Sequence, residues 1–306
     1  MYDIIIVGAG PAGLTAGLYA RRAEKTVLIL EKDTFGGQIT HSPKVENYPG
    51  TAEMSGNEFA ERLIDQVLMQ GAEIEPCTVT AVTPRPDGVK VVSTEEGDTY
   101  EAKAVILAGG AKHRMLGVPG EEALVGHGVS YCAVCDGAFY KGKRVAVIGG
   151  GNSALQDAVL LSDSCAHVTL VQNLPHFTGE AKLLELLKAK PNVDFITGTV
   201  VSGFESAGGE LAALRLVPAT GEGEETTLSV DGVFVAIGLV PDNGAFQNVA
   251  ALDAFGYFDA GEDCTTATPG VFVAGDARRK RIRQITTAAA DGSVAALAAC
   301  SYVDTL

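Results

Sequence analysis

The sequence predicts an α/β protein built from two three-layer β/β/α units, the second inserted into the first. Three observations point there. Residues 3–31 run through an apolar strand, a glycine turn, a helix and a second strand, and residues 144–172 repeat that order. The apolar segments KAVILAGG (103–110) and VDGVFVAIG (230–238) then follow the two copies, each ending a strand on glycine.

The first copy, DIIIVGAGPAGLTAGLYARRAEKTVLILE, places Gly8, Gly10 and Gly13 between strand and helix and ends on Glu31. This is the Rossmann-like fingerprint in its proper context. Gly8 allows the tight turn, Gly10 lets a pyrophosphate approach the helix N-terminus, and Gly13 lets helix and strand pack closely. Glu31 is placed to take ribose hydroxyls. The second copy, RVAVIGGGNSALQDAVLLSDSCAHVTLVQ, carries Gly149, Gly151 and Ala154 at the same positions, Ala154 being an allowed third small residue. From Gly8 to Glu31 is 23 positions, and the same count from Gly149 reaches Gln172. The second unit therefore has neither an acid for an unphosphorylated ribose nor an arginine for a 2'-phosphate there.

The Gly- and Pro-containing flanks GAKHRMLGVPGE and GLVPDNGAF read as two crossovers, which sets the units at 1–116 with 243–306, and 117–242. GVFVAGDARRKRIRQITTAAADG returns the chain to the first unit as a strand ending at Gly275 and Asp276, followed by an alanine-rich helix.

Cys132 and Cys135 form a C-x-x-C pair a few residues before the second fingerprint, with Asp136 directly after. Two thiols so spaced can be oxidised and reduced together, and the acid can manage the proton that thiolate chemistry gains or loses. The alternative, half of a zinc site, lacks a second pair of ligands, so no metal is expected. Cys77, Cys165, Cys264 and Cys300 stand singly and read as reduced interior cysteines.

Composition bounds the class. The chain has 306 residues, 46% of them hydrophobic, enough for about two domains with full cores. A net charge of −15 argues against nucleic acid as a partner. No apolar run reaches the roughly 18 residues of a membrane span, and the N-terminus opens on a strand with no leader pattern, so no membrane and a cytoplasmic location are expected.

Taken together, GAGPAGLTAGLYA, GGQI (36–39), VENYPG (45–50), GAKHRMLGVPGE, CAVCDG (132–137), GGGNSA (149–154) and GDARRKRIRQITTAAADG closely resemble the low-molecular-weight, bacterial-type thioredoxin reductases, over essentially the whole chain. The resemblance implies FAD in the first unit. Gly8, Gly10 and Gly13 would lie at its pyrophosphate, Glu31 at the adenosine ribose, and Gly37, Gln38 and Asn47 around the flavin. Asp276 would bind the ribityl chain, with Arg283 and Gln284 near the isoalloxazine. The inserted NAD(P)H-type unit would carry the redox disulfide. Electrons would pass from flavin to Cys132–Cys135, with Cys135 facing the flavin, Cys132 attacking thioredoxin or a similar protein disulfide, and Asp136 moving the proton. The resemblance also implies a homodimer, and an inserted unit that rotates between cycles.

The sequence departs from that family at the donor. The family's H-R-R-x-x-x-R pattern for NADPH is matched here by Gln172, Asn173, Leu174 and Thr178. NADH, weakly held NADPH or a protein donor such as ferredoxin remain. RRKRIR at 278–283 offers five cations in six positions for docking an acidic partner, the alternative being a solvated loop with Arg283 alone on the flavin. A second function of a different class, a flavin-dependent dithiol oxidase using oxygen, also fits the loss of the NADPH pattern.

Overall fold

The run from Ile4 to Val7 is apolar at every position because both faces of its strand are covered. Ile4 and Ile6 join one cluster with Leu14, Ala16, Ala295 and Ala299. Ile5 and Val7 point the other way, into a cluster with Val82, Val92 and Phe258. This is the burial expected of parallel strands flanked on both sides, where alternation of polar and apolar residues is lost. The computed structural model describes residues 1–42 and 44–306 and divides into two units, 1–112 with 240–306, and 113–239.

The first unit begins β1 (Tyr2–Val7), α1 (Pro11–Arg22), β2 (Val27–Glu31), α2 (Gly56–Met69), β3 (Glu73–Pro76), β4 (Val79–Pro84), β5 (Lys90–Thr94) and β6 (Thr99–Leu107). A crossover strand, β7 (Ala111–His113), precedes the second unit, which starts with β8 (Val129–Ser130), α3 (Ala133–Asp136), β9 (Arg144–Ile148), α4 (Asn152–Ser162) and β10 (His167–Val171). It continues through α5 (Ala181–Lys188), β11 (Val193–Ile196), β12 (Thr199–Ala207), β13 (Glu210–Pro218), β14 (Thr226–Ser229) and β15 (Gly232–Val235). The return crossover is β16 (Leu239–Pro241), and β17 (Val271–Val273) and α6 (Ile285–Asp304) complete the first unit.

In the first unit the sheet runs β3-β2-β1-β6-β5-β4, with β17 also on β6. Strand β6 serves two sheets in one: its C-terminal half pairs in parallel with β1 and β17, and its N-terminal half pairs antiparallel with β5. Helices α1 and α6 cover one face and the β4–β5 meander covers the other, which makes the three layers. In the second unit a parallel sheet, β11-β10-β9-β15-β8, is covered on one side by the antiparallel β12-β13-β14 and on the other by α4. Two units of this β/β/α kind agree with the sequence reading.

The unit boundaries fall four and three residues before 116/117 and 242/243. His113 already packs in the second unit, stacked on Tyr131 with ring centroids 5.3 Å apart. On the return, Asp242 pairs with Lys32, and the buried Asn243 donates to the carbonyls of Gly256 and Ala277, all in the first unit.

Local signals explain the helix starts. Pro11 opens α1, where a missing N–H costs nothing. Ser55 and Glu58 form a reciprocal capping box at α2, and Gln284 and Thr287 form another at α6. At the turn before α1, Gly8 sits at φ 108°, where a Cβ would lie 2.4 Å from the Ala108 carbonyl oxygen. Gly149 repeats this at φ 133°, 2.5 Å from the Ala236 carbonyl oxygen. Gly109, by contrast, would point a Cβ into open space. We therefore expect Gly8→Ala to cost the apoprotein about 3 kcal/mol or more in urea unfolding, and Gly109→Ala to stay within about 1 kcal/mol of the parent. Equal losses in the two variants would refute the close-approach account.

Candidate functional site

The chain brings three groups of residues together, two at the glycine turns and one at the cysteine pair. At the first turn, Gly10 is the N-cap of α1 and opens onto space that a Cβ would enter, with only the Gly36 carbonyl nearby at 3.9 Å. Glu31, at the end of β2, is drawn to this turn: its Oε2 accepts the Ala9 N–H at 2.7 Å and its Oε1 the Asp33 N–H at 2.8 Å. Gly37 starts the short helical turn 37–41 beside Gly10, while Gln38 is exposed. Asn47 and Gln284, 237 positions apart, meet through a 3.2 Å hydrogen bond from Asn47 Nδ2 to Gln284 Oε1.

Asp276 follows β17 in the turn 275–277. Its Oδ1 is buried and lacks a hydrogen-bond partner among the described residues. Burial pushes this carboxyl above its ordinary range, Lys280 and Arg283 pull against that, and Asp291 adds to it. A buried polar atom left open beside an open glycine turn fits the hydroxyls of a bound dinucleotide, so this donor and acceptor set suits FAD. Arg283 lies with its guanidinium 4.2 Å from the Tyr257 ring centroid and reaches the carbonyls of Asp276 and Arg278 at 3.4 Å.

The basic run 278–283 is not the exposed patch that its charges suggest. Arg278 is buried and grips Asp291 with two 2.8 Å hydrogen bonds, and the Lys280 ammonium reaches the same carboxylate at 2.9 Å. Asp291 Oδ2 also accepts the Gly275 N–H at 3.0 Å, which ties α6 to the turn bearing Asp276. Burial works against the Asp291 charge, yet the two cations hold its carboxyl below the usual range. Arg279 pairs with Asp259 at 2.9 Å, which leaves Arg281 as the exposed cation of the run without an ion pair among the described residues. Asp291 escaped the sequence reading. Its signal was a lone acid in the alanine-rich helix AAADGS, a position that burial permits only with a partner.

At the second turn Gly151 is the N-cap of α4 and Ala154 is buried beneath it. Gln172, only 4 % exposed, lies across Gly150, where an added Cβ would come within 2.3 Å of its Nε2. Its amide accepts the Asn173 N–H and donates to the His176 carbonyl, so the side chain is spent on its own loop. That loop folds back onto the glycines: the Thr178 and Gly179 N–H groups donate to the Gly150 carbonyl at 2.8 and 2.9 Å. Asn173, Leu174 and Thr178 are exposed and uncharged.

Cys132 and Cys135 are joined by a disulfide, Cα to Cα 5.3 Å, with Cys132 as the N-cap of α3. The Cys135 N–H lies 3.2 Å from Cys132 Sγ. The other cysteines are unpaired: Cys165, Cys264 and Cys300 are buried and Cys77 is half-buried. Asp136 Oδ2 accepts a 2.6 Å hydrogen bond from the Ser130 hydroxyl, and its Oδ1 is buried without a partner among the described residues. Burial raises the Asp136 pKa, and the Ser130 hydrogen bond opposes it. Ser130 Oγ also accepts the Cys132 N–H at 3.1 Å. Tyr131, between them, donates to Glu121 Oε1 at 2.9 Å, and that buried carboxylate also accepts the Leu116 and Gly117 N–H groups. His113, stacked on Tyr131, is pushed down to about 4 by burial and is neutral at physiological pH. Neither Ser130 nor Glu121 was singled out from the sequence, because nothing in their spacing distinguishes them from ordinary loop residues.

Among the described residues there is no cluster of three or more His, Cys, Asp or Glu suited to a metal, and no helix is long and apolar enough to cross a membrane.

The pyridine nucleotide-disulphide oxidoreductase family matches residues 2–292. The thioredoxin reductase of Listeria monocytogenes is 40% identical over 307 residues, covering 100% of this chain and 95% of that protein. The bifunctional thioredoxin reductase/thioredoxin of Mycobacterium leprae is 42% identical over 97% of this chain and 65% of that protein. The crystal structure of thioredoxin reductase from Streptococcus pyogenes superposes with a TM-score of 0.94 at 37% identity, covering 100% of this chain and 99% of that one.

Asp276→Ala is expected to weaken FAD binding by about 10- to 100-fold, the worth of one hydrogen bond to a charged group. Reconstitution of the apoprotein with FAD, followed by flavin fluorescence, measures it; unchanged affinity would remove Asp276 from the site.

Proposed function

The chain belongs to the pyridine nucleotide-disulphide oxidoreductase family, as a low-molecular-weight thioredoxin reductase, and from that premise we propose how its own residues serve the reaction. The observation that carries the reading is the Cys132–Cys135 disulfide at the start of a helix, followed by an acid with one buried, open oxygen. FAD, the enzyme's cofactor, supplies the two electrons that reduce this disulfide. Gly8, Gly10 and Gly13 would hold its pyrophosphate and Glu31 its adenosine ribose. Gly37, Gln38, Asn47, Asp276, Arg283 and Gln284 would hold the ribityl and ring portions.

In the dithiol state, Cys132 as thiolate attacks a sulfur of the oxidised partner and forms a mixed disulfide. Cys135 then attacks Cys132, which re-forms the intramolecular disulfide and releases the partner as a dithiol. Asp136 takes the proton from the attacking thiol and passes it to the partner's leaving sulfur, a role suited to a carboxyl whose pKa burial has raised. Thioredoxin is the partner, and in the Mycobacterium leprae relative a thioredoxin is named within the same protein. Such cycling of free dithiols belongs in a reducing compartment, the cytoplasm. The exposed Tyr19 on α1, with Val294 and Leu297 on α6, supports a homodimer through these helices.

The electron donor is something other than tightly bound NADPH. Support comes from Gln172, buried on the glycine turn where the first unit has Glu31, and from the uncharged Asn173, Leu174 and Thr178. NADH held through Gly149, Gly151 and Ala154, or reduced ferredoxin, fits this better. With the run 278–283 mostly committed inside the first unit, a ferredoxin would find little of the basic surface that its sequence promises.

Anaerobic flavin bleaching with NADPH, NADH and reduced ferredoxin in parallel tests the donor. NADPH is expected to saturate poorly, and Asn173→Arg with Leu174→Arg is expected to improve its apparent affinity about tenfold or more. Bleaching by the parent protein at low micromolar NADPH would overturn this assignment. Oxygen uptake with a small dithiol, faster than thioredoxin reduction with any donor, would instead make the chain a dithiol oxidase.

For the cysteines, Cys132→Ser should leave the flavin reducible by dithionite and stop turnover with thioredoxin. Cys135→Ser should stop it too, because a single thiol cannot release its mixed-disulfide partner. Steady-state thioredoxin reduction at the parent rate in either variant contradicts the reading.

A further inference from the structure

We propose that Ser130 is a positioning residue for proton transfer at the redox pair, its hydroxyl fixing the Asp136 carboxylate against the backbone of Cys132. The inference deepens the reading of Cys132 and Cys135 as the redox centre and rests on it.

The geometry is a closed circuit of short contacts. Ser130 ends β8 and is buried, 4 % exposed. Its hydroxyl donates to Asp136 Oδ2 at 2.6 Å and its oxygen accepts the Cys132 N–H at 3.1 Å. The Asp136 N–H in turn donates to the Cys132 carbonyl at 3.0 Å. One hydroxyl thus links the reactive cysteine's backbone to the acid four positions on. A hydroxyl has one proton to give, and here it is given to a carboxylate, so the contact favours the ionised acid. Its alternative partners are few. The Asp136 Oδ1 has no hydrogen bond among the described residues. No lysine or arginine contributes to the balance at this carboxyl, which is set by burial and by Ser130.

The titratable groups on the elements packed against α3 are Tyr140 on the following turn and Asp157 on α4. Tyr140 is pushed up to about 12 by burial and by the Asp136 charge, and stays a neutral phenol. Asp157 is pushed up to about 6 by burial alone. Neither hydrogen-bonds Asp136, so neither replaces Ser130.

The step it serves is balanced within the dithiol and its partner. The Cys132 S–H bond breaks and its proton passes to the Asp136 carboxylate. The thiolate forms a bond to a partner sulfur as the partner's S–S bond breaks, and the leaving sulfur takes that proton back from Asp136, which restores the carboxylate. The Cys135 thiol then gives its proton to the same carboxylate, attacks the Cys132 sulfur of the mixed disulfide and expels the partner's second sulfur, which takes the proton from Asp136 in turn. The enzyme pair is oxidised by two electrons and the partner disulfide is reduced by two. This half-reaction needs Asp136 ionised, so its rate climbs as pH rises through that pKa. Removing the Ser130 hydroxyl removes a contact that favours the ionised form and therefore moves the limb to higher pH.

The test is a single turnover: enzyme reduced anaerobically with dithionite is mixed with oxidised thioredoxin, and the rate is followed across pH for the parent, Ser130→Ala, Ser130→Gly and Ser130→Thr. The alanine and glycine variants are expected to shift the limb upward by about one unit, a roughly tenfold slower exchange at its foot. The threonine variant keeps a hydroxyl and should restore the parent profile, and flavin content should not change in any of them. Two deletion variants guard against one failing to fold. A parent-like profile in the folded deletion variants overturns the inference. So does a limb that survives in Asp136→Asn, because that limb would belong to another group. Full exchange by Cys132→Ser would instead bring down the reading of the redox pair itself.

Discussion

Two glycine turns pressed against carbonyl oxygens set the architecture of this molecule. Gly8 lies under the Ala108 carbonyl and Gly149 under the Ala236 carbonyl, each so close that no Cβ fits. The approach forces the chain from a central strand directly into a helix whose N-terminus faces the carboxyl edge of the sheet. Backbone N–H groups left over at such a terminus favour an anion, so the same packing that builds the fold also leaves a terminus suited to a phosphate. Everything placed at the sheet edge, Glu31 and Asp276 in one unit and Gln172 in the other, is placed relative to that turn.

The molecule treats its buried carboxylates in contrasting ways. Asp291 is saturated by a fork from Arg278, an ammonium from Lys280 and a backbone N–H, which makes it a fixed strut. Glu121 is held by two N–H groups and a phenol. Asp136 and Asp276 each keep one buried oxygen open. Leaving a buried polar atom open is costly unless a ligand or a proton fills it during function. The open oxygens therefore separate Asp136 and Asp276, the two acids proposed to work in the reaction, from the two saturated ones more sharply than charge or burial alone.

The two units also show how one local pattern diverges. Glu31 turns its carboxylate to the glycine loop and accepts the Ala9 N–H. Gln172, at the equivalent offset, lays its amide over the loop and is consumed by neighbouring backbone. The framework survives this change because glycine turn and helix packing do not depend on it. In fingerprints of this kind the selectivity for a nucleotide's far end does depend on the residue at that offset.

By itself the sequence determined the features that short-range spacing encodes. Both fingerprints, the continuous burial of strands such as Ile4 to Val7, the cysteine pair with Asp136, and the 23-position offset between Gly8 and Glu31 are local patterns with one sensible geometry. Tertiary structure decided what depends on partners far along the chain. The meeting of Asn47 with Gln284 spans 237 positions. The crossover residues took sides according to what they stacked on or paired with, His113 on Tyr131 and Asp242 on Lys32. The run 278–283 reads as surface charge until Asp291 arrives from α6 to hold Arg278 and Lys280 inside the protein. A charge looks solvated in a sequence because nothing there records whether an opposite charge comes close enough to stand in for water, and only the folded chain supplies that distance.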